Sequence, residues 1–189
     1  MDSNPKDLQE LQQRYRSGWR PKFLFFWGHT PKHAGILGPE CLSQWFPAPF
    51  RVNGRAFPTA EHFMMWSKAT LFGDTKAADA ILESGSPGSA KQLGRQVGGF
   101  VEATWVTHRR EIVVQASIAK FTQNPELGAF LAQTGKKVLV EASPTDRIWG
   151  IGLGASDERA ENPLEWNGLN LLGFALMEAR ATAGHFASP

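Results

Sequence analysis

The sequence predicts an α+β fold, a compact and mostly helical single domain with a few short strands. Three observations carry that prediction. Apolar residues recur at helical spacing along much of the chain, short apolar runs are scattered among them without regular strand–helix–strand alternation, and an Asn53-Gly54 dipeptide marks a tight hairpin.

Residues 1–22 read as a polar helical extension with Leu8, Leu11 and Tyr15 on one side, ahead of a domain over 23–182 and a tail over 183–189. The run Phe23-Leu24-Phe25-Phe26-Trp27 predicts a buried strand, followed by a Gly/His/Pro-rich loop from Gly28 to Gly38. Asn53-Gly54 between Phe50-Arg51-Val52 and Arg55-Ala56-Phe57 is the dipeptide that a two-residue type I′ turn requires, which places a hairpin near residues 49–57. Pro58 then stops the second strand, and Thr59 offers its hydroxyl as the cap of a helix over roughly 60–71. Asp74 caps a helix carrying Ala77, Ala78, Ile81 and Leu82, which Gly85-Ser86-Pro87-Gly88 ends before further short amphipathic helices.

Thr104 precedes a helix of about 17 residues whose Trp105, Ile112, Val113 and Ala116 form an apolar stripe. Asn124-Pro125 opens another helix that Gly135 closes, and Lys137–Ala142 reads as a strand. A Gly-rich segment, Trp149–Gly154, follows it. Leu169, Leu172, Leu176 and Met177 mark a final amphipathic helix, with a frayed tail expected after Gly184.

The 189 residues suffice for one well-formed core, and no long Ser/Gly/Pro linker divides them. A formal charge of +2 with interspersed signs makes nucleic acid a permitted partner, not a required one. The single cysteine, Cys41, excludes an intrachain disulfide and fits a reducing compartment. Neither an apolar run of about 18 residues nor the pattern of a signal peptide is present, so the expectation is a soluble cytoplasmic protein without a membrane partner. Seven Trp and thirteen Phe against one Tyr suit a packed core and also a flat, ring-shaped ligand.

Glu61 falls in the first turn of its helix, where a carboxylate gains from the helix dipole whether or not it does chemistry. Lys68 lies two turns further on the same face, about 10 Å along the axis, so the pair is placed to reach one sugar-sized ligand. Trp66 and Met65 are the neighbours expected to desolvate Lys68. Arg109 sits inside the apolar stripe and needs an internal carboxylate or a bound anion, because an unpaired buried charge costs several kcal/mol. Lys91 and Arg95 share a helix face, as a solvated surface or as a phosphate clamp. Asp146–Gly152 follows a strand, where loops often form sites; Trp149 can stack on a base, and Gly150 and its neighbours can let backbone amides approach a ligand. His29 and His33 lack the Cys or acidic company of a metal site, and no nucleophile elbow, Walker loop or zinc-binding helix motif occurs.

At these residues the chain resembles the NADAR superfamily, and within it the N-glycosidases acting on riboflavin-biosynthesis intermediates. The resemblance rests on Phe25-Phe26-Trp27, Leu42–Phe50, Phe57–His62, Lys68-Ala69, Ala90–Arg95, Trp105 with Arg109, Phe121–Leu127, Glu141–Gly152, Asn167–Gly173 and Leu176-Met177, in order over roughly residues 23–181. It implies a mostly helical α+β domain that cleaves the C1′–N bond of a ribosylamine. Glu61, Lys68, Trp105, Arg109, Asp146 and Trp149 are the positions matching the family's pocket motif. One departure stands at Gln44, where the family commonly carries Asn in a base- or ribose-contacting position.

Under that resemblance Glu61 or Asp146 stabilises an oxocarbenium-like sugar or activates water, and Lys68, if neutral, takes the sugar as a Schiff base. Lys91, Arg95 and Arg109 hold a phosphate or diphosphate while Trp149 and Trp105 stack on the base. None of this chemistry needs a metal or cofactor. The expected substrate is a phosphoribosylamino-pyrimidine that releases ribose 5-phosphate. Two alternatives stand beside it: removal of ADP-ribose from guanine in nucleic acid, with Arg14, Arg16, Arg20 and Lys22 as a positive rim, and a non-enzymatic module that binds ADP-ribose or a related nucleotide.

Overall fold

Asn53 and Gly54 both adopt the left-handed region, with φ of 49° and 78°, as a type I′ turn demands. They join β2 (Phe50–Val52) to β3 (Arg55–Phe57) in an antiparallel hairpin with Phe50 opposite Phe57. The computed structural model describes residues 4–31 and 35–186, without side chains for 183–186. Among these the chain also forms α1 (Leu8–Arg16), β1 (Phe23–Phe26), α2 (Ala60–Leu71), α3 (Thr75–Glu83), α4 (Pro87–Arg95), α5 (Glu102–Gln123), α6 (Pro125–Gln133), β4 (Val138–Glu141) and α7 (Leu171–Phe186). Short 3-10 turns occupy Pro39–Leu42 and Glu158–Glu161. The fold is α+β, and no helix is long and apolar enough to cross a membrane among the described residues.

Capping side chains set most helix starts. The Thr59 hydroxyl accepts from His62 N at 3.4 Å, the Asp74 carboxylate from Ala77 N at 2.9 Å, and the Ser86 hydroxyl from Ser89 N at 3.1 Å with Pro87 in the first helical position. The helix expected after Thr104 begins earlier, at Glu102, and runs 22 residues. Val101 enters it without a side-chain cap, its carbonyl accepting from Trp105 N at 3.0 Å. Packed between α2 and α7, α5 buries Val114, Ser117, Lys120 and Phe121 beyond the expected stripe, since a central helix needs more than one apolar face.

β1 and β4 pair in parallel, Phe23 with Val138 through Phe26 with Glu141, across more than a hundred residues of chain. Val138, Leu139 and Val140 are fully buried beneath α7. β1, expected as a buried strand, is the outer member: Phe26 is buried, Phe23 to Phe25 are half-buried, and Trp27 is 61% exposed. On the other edge of β4, the Asn170 side chain accepts from Glu141 N at 3.0 Å and donates to the Leu139 carbonyl at 2.9 Å, replacing a third strand. Leu169, expected on the final helix, lies two residues before it and is 42% exposed. α7 runs through Phe186, past Gly184, and residues 187–189 lie outside the described residues. α1 is shorter than the extension expected over residues 1–22, and its Leu11 is fully buried in the main core.

Candidate active site

Where β4 ends, the loop through Asp146 and Trp149 closes over α2, α4 and the start of α5 to leave a cavity of about 460 Å³. Glu61 and Lys68 reach it from α2, Lys91 and Arg95 from α4, Trp105 from α5, and Asp146 and Trp149 from the loop. These residues come from four separate segments. The volume falls in the range of small-molecule pockets, roughly 300 to 1,000 Å³.

Glu61 is 2% exposed, and its Oε1 has no hydrogen-bond partner. Its amide donates to the Gln44 carbonyl at 3.0 Å, which ties the first turn of α2 to the segment before the hairpin. Burial pushes its carboxyl up to about 7, outweighing the Lys91 and Arg95 charges and the Trp45 indole that favour ionisation. The nearby Asp146 charge raises it further. Its neighbour His62 is locked by structure: Nε2 donates to the Ser84 carbonyl at 3.1 Å, so Nδ1 accepts from the Thr59 hydroxyl at 2.7 Å. Burial lowers the His62 pKa and keeps this neutral tautomer.

Lys68 donates to the Gly94 carbonyl at 2.8 Å, and its ammonium lies 4.2 Å from the Phe100 ring and 5.7 Å from the Trp105 ring. Burial lowers its pKa, partly opposed by the Glu102 charge. The expected aromatic neighbour, Trp66, faces away: it packs with Phe57 and Phe63 beneath the hairpin and receives Arg55 on its ring. Met65 remains in the cavity wall.

The Asp146 loop is held by its own backbone. Asp146 Oδ1 accepts from the amides of Ile148 and Trp149, each at 2.8 Å, and the Asp146 carbonyl accepts from Gly152 N at 3.1 Å. Gly150 does not line the cavity. A Cβ there would stand 2.8 Å from the Glu141 carbonyl oxygen and 3.0 Å from that of Asp146, so the close backbone approach expected for a ligand is made to the protein itself. Gln44 is also absent from the wall, although it is buried with its Oε1 unpartnered. Arg109 is 8% exposed, lies outside the wall of this cavity, and has no ion pair among the described residues. Arg14, Arg20 and Lys22 line a different cavity, before β1 rather than after β4, and Arg16 lies on neither wall, so they form no rim to this one.

Two nearby residues lie in segments that carry the family resemblance but were not among the expected site residues. Glu141, the last residue of β4, carries an unpartnered buried Oε2, and burial with the Asp146 and Glu61 charges lifts its carboxyl to about 8. Trp45 brings its indole to Glu61 and its ring within 5.8 Å of the Lys91 ammonium. A glutamate ending an otherwise apolar strand was the available signal for Glu141; Trp45 offered none beyond its aromaticity. No group of His, Cys, Asp and Glu able to hold a metal occurs among the described residues, and His33 of the His29/His33 pair lies outside them.

A family model, the NADAR domain, matches residues 25–182. N-glycosidase R617 of Acanthamoeba polyphaga mimivirus is 42% identical over 164 residues, covering 84% of this chain and 95% of that protein. N-glycosidase YbiA of Escherichia coli (strain K12) is 33% identical over 132 residues, 70% of this chain and 74% of its own. The NMR structure of E. coli YbiA superposes with a TM-score of 0.70 at 27% identity, covering 89% of this chain and 88% of the other. Matched over most of its length, the chain belongs to the NADAR domain family and is a hydrolase of N-glycosyl compounds.

Proposed function

We propose that the chain is a cytoplasmic N-glycosidase that cleaves the C1′–N bond of phosphoribosylamino-pyrimidine intermediates of riboflavin biosynthesis, releasing ribose 5-phosphate. The observation that carries this reading is a proton-holding carboxyl and a desolvated lysine on one face of α2, both at a cavity that Lys91 and Arg95 of the neighbouring α4 also line. A glycosylamine bound there sets its phosphate on the two cations, its C1′ near Lys68 and its base against Trp149 and Trp105.

The chemistry follows from the glycosylamine nitrogen. Its lone pair forms C1′=N as the C1′–O4′ bond breaks, and Glu61 gives its proton to O4′. Neutral Lys68 adds through Nζ to C1′, the amine departs with a proton, and the sugar remains as a Schiff base on Nζ. Water adds to C1′, one of its protons returning to the Glu61 carboxylate and the other passing to Nζ, which leaves as the neutral amine, and the freed aldehyde closes to ribose 5-phosphate. The Asp146 carboxylate offsets the positive charge on the imine and on the Schiff base.

Mass-spectrometric measurement of ribose 5-phosphate released from a phosphoribosylamino-pyrimidine tests the reading. Time-dependent release by wild type and its loss in Glu61→Gln support it. Release only from an ADP-ribosylated guanine would transfer the same chemistry to another substrate and overturn the assignment.

A further inference from the structure

We propose a second ligand site at the opposite end of the strand pair, a cleft that binds a nucleotide-sized polyphosphate. The cavity measures about 820 Å³ and is lined by Arg14, Trp19, Arg20, Lys22, Lys136 and Lys137, with no carboxylate among the described residues of its wall. In a chain whose formal charge is only +2, such a local excess is a departure from the average surface.

Strand pairing creates the concentration. Phe23 opposes Val138, and Val138 N donates to the Lys22 carbonyl at 2.9 Å, so Lys22 and Lys137 stand side by side just before the paired residues. Like charges on neighbouring strands repel, and a bound anion relieves that repulsion. Beneath the same turn Arg180 is buried with three neutral acceptors, the Thr134 hydroxyl at 2.6 Å, the Lys137 carbonyl at 3.1 Å and the Asn4 side chain at 3.1 Å. Its charge adds to the cleft. On the other wall Arg20 is fixed by the Tyr15 carbonyl at 2.6 Å and lies 4.1 Å over the Tyr15 ring, while Arg14 is paired with Glu10.

Trp19 supplies an exposed ring beside these cations, which suits a base attached to phosphates. The bounded volume favours one nucleotide over an extended strand. The cleft is separate from the proposed reaction: about 13 Å of strand, four residues at about 3.3 Å each, divides it from the residues that follow β4. It goes beyond the glycosidase reading and does not depend on it.

The test is an amide NMR titration with ADP, tripolyphosphate and oligothymidylates of two to twelve nucleotides. ADP is expected to shift the amides of Gly135, Lys136 and Lys137 together with the Trp19 indole N–H, and tripolyphosphate to shift the amides alone. Lys22→Ala/Lys137→Ala is expected to weaken ADP binding at these resonances at least tenfold, and Lys91→Ala/Arg95→Ala to leave it within twofold. The charge-reversed Lys22→Glu/Lys137→Glu is expected to abolish it, with the remaining spectrum reporting that the fold is intact. Absent shifts at millimolar ADP, shifts that survive the Lys22/Lys137 variants or vanish in the Lys91/Arg95 variant, or affinity that climbs with oligonucleotide length would each overturn the proposal.

Discussion

The Lys68 ammonium stands 4.2 Å from the centroid of the Phe100 ring and donates to the Gly94 carbonyl at 2.8 Å. Both contacts fix the direction of Nζ, yet neither supplies a carboxylate to hold the proton. Burial lowers its pKa, and the Glu102 charge opposes that shift.

That placement predicts a covalent adduct. Borohydride added during turnover should trap a sugar on wild type and on no other lysine, with the added mass mapping to the peptide containing Lys68. Lys68→Arg keeps the charge and lacks the nucleophile, so release of ribose 5-phosphate should fall by roughly 10²- to 10⁴-fold. Normal turnover by Lys68→Arg would eliminate the Schiff base.

A second prediction concerns pH. With the Glu61 carboxyl lifted to about 7, its proton is present below that value and absent above it. If Glu61 is the acid, kcat should decline as pH rises through about 7. Glu61→Gln should remove the alkaline limb and lower kcat by about 10²-fold or more. A profile rising through pH 7 and unchanged in this variant would reassign the proton transfer.

Stability should respond to the same acids. Burial holds the protons of Glu61 and Glu141 to about 7 and about 8 in the folded chain, against an ordinary 4.5. The unfolded chain loses them first, so stability present below about pH 4.5 is lost as pH climbs through 7 to 8. Glu141→Gln should gain on the order of 4 kcal/mol over wild type between pH 5 and pH 9, at about 1.4 kcal/mol per pH unit. Urea unfolding at the two pH values measures this, and an equal difference at both would refute it.

Lys120 carries a fourth prediction. Its buried ammonium donates to the carbonyls of Cys41 at 2.6 Å and Ser43 at 2.8 Å, and burial lowers its pKa to about 7. It anchors the segment that leads into Gln44 and Trp45. Lys120→Met should cost about 2 to 4 kcal/mol through two orphaned carbonyls, and loosening Trp45 should raise KM. A loss below about 1 kcal/mol in urea unfolding would mean that water replaces the ammonium.

Local chemistry made several elements readable. Asn53-Gly54 has few low-energy alternatives to a I′ turn, and Thr59 and Asp74 cap wherever a free helix end follows them, so the hairpin and the starts of α2 and α3 were legible, whereas Ser86, expected only in the segment that ends α3, caps α4. Helical periodicity likewise placed Glu61 with Lys68, and Lys91 with Arg95. Cys41, a residue without an assigned role in the sequence, is accounted for by burial, which pushes its thiol up to about 12.

The sequence by itself determined the α+β class, the hairpin, the helix faces and the charged residues offered to a site, because each depends on neighbours within a few positions. Only the tertiary structure decided that β1 pairs with β4, that Trp66 turns away from Lys68 while Phe100 turns toward it, and that Glu141 joins Glu61 and Asp146. It also left Arg109, Gln44 and Gly150 outside the cavity wall. These outcomes depend on contacts between residues far apart in the chain and on which groups lose water on packing, and neither is encoded in spacing along a helix or a strand.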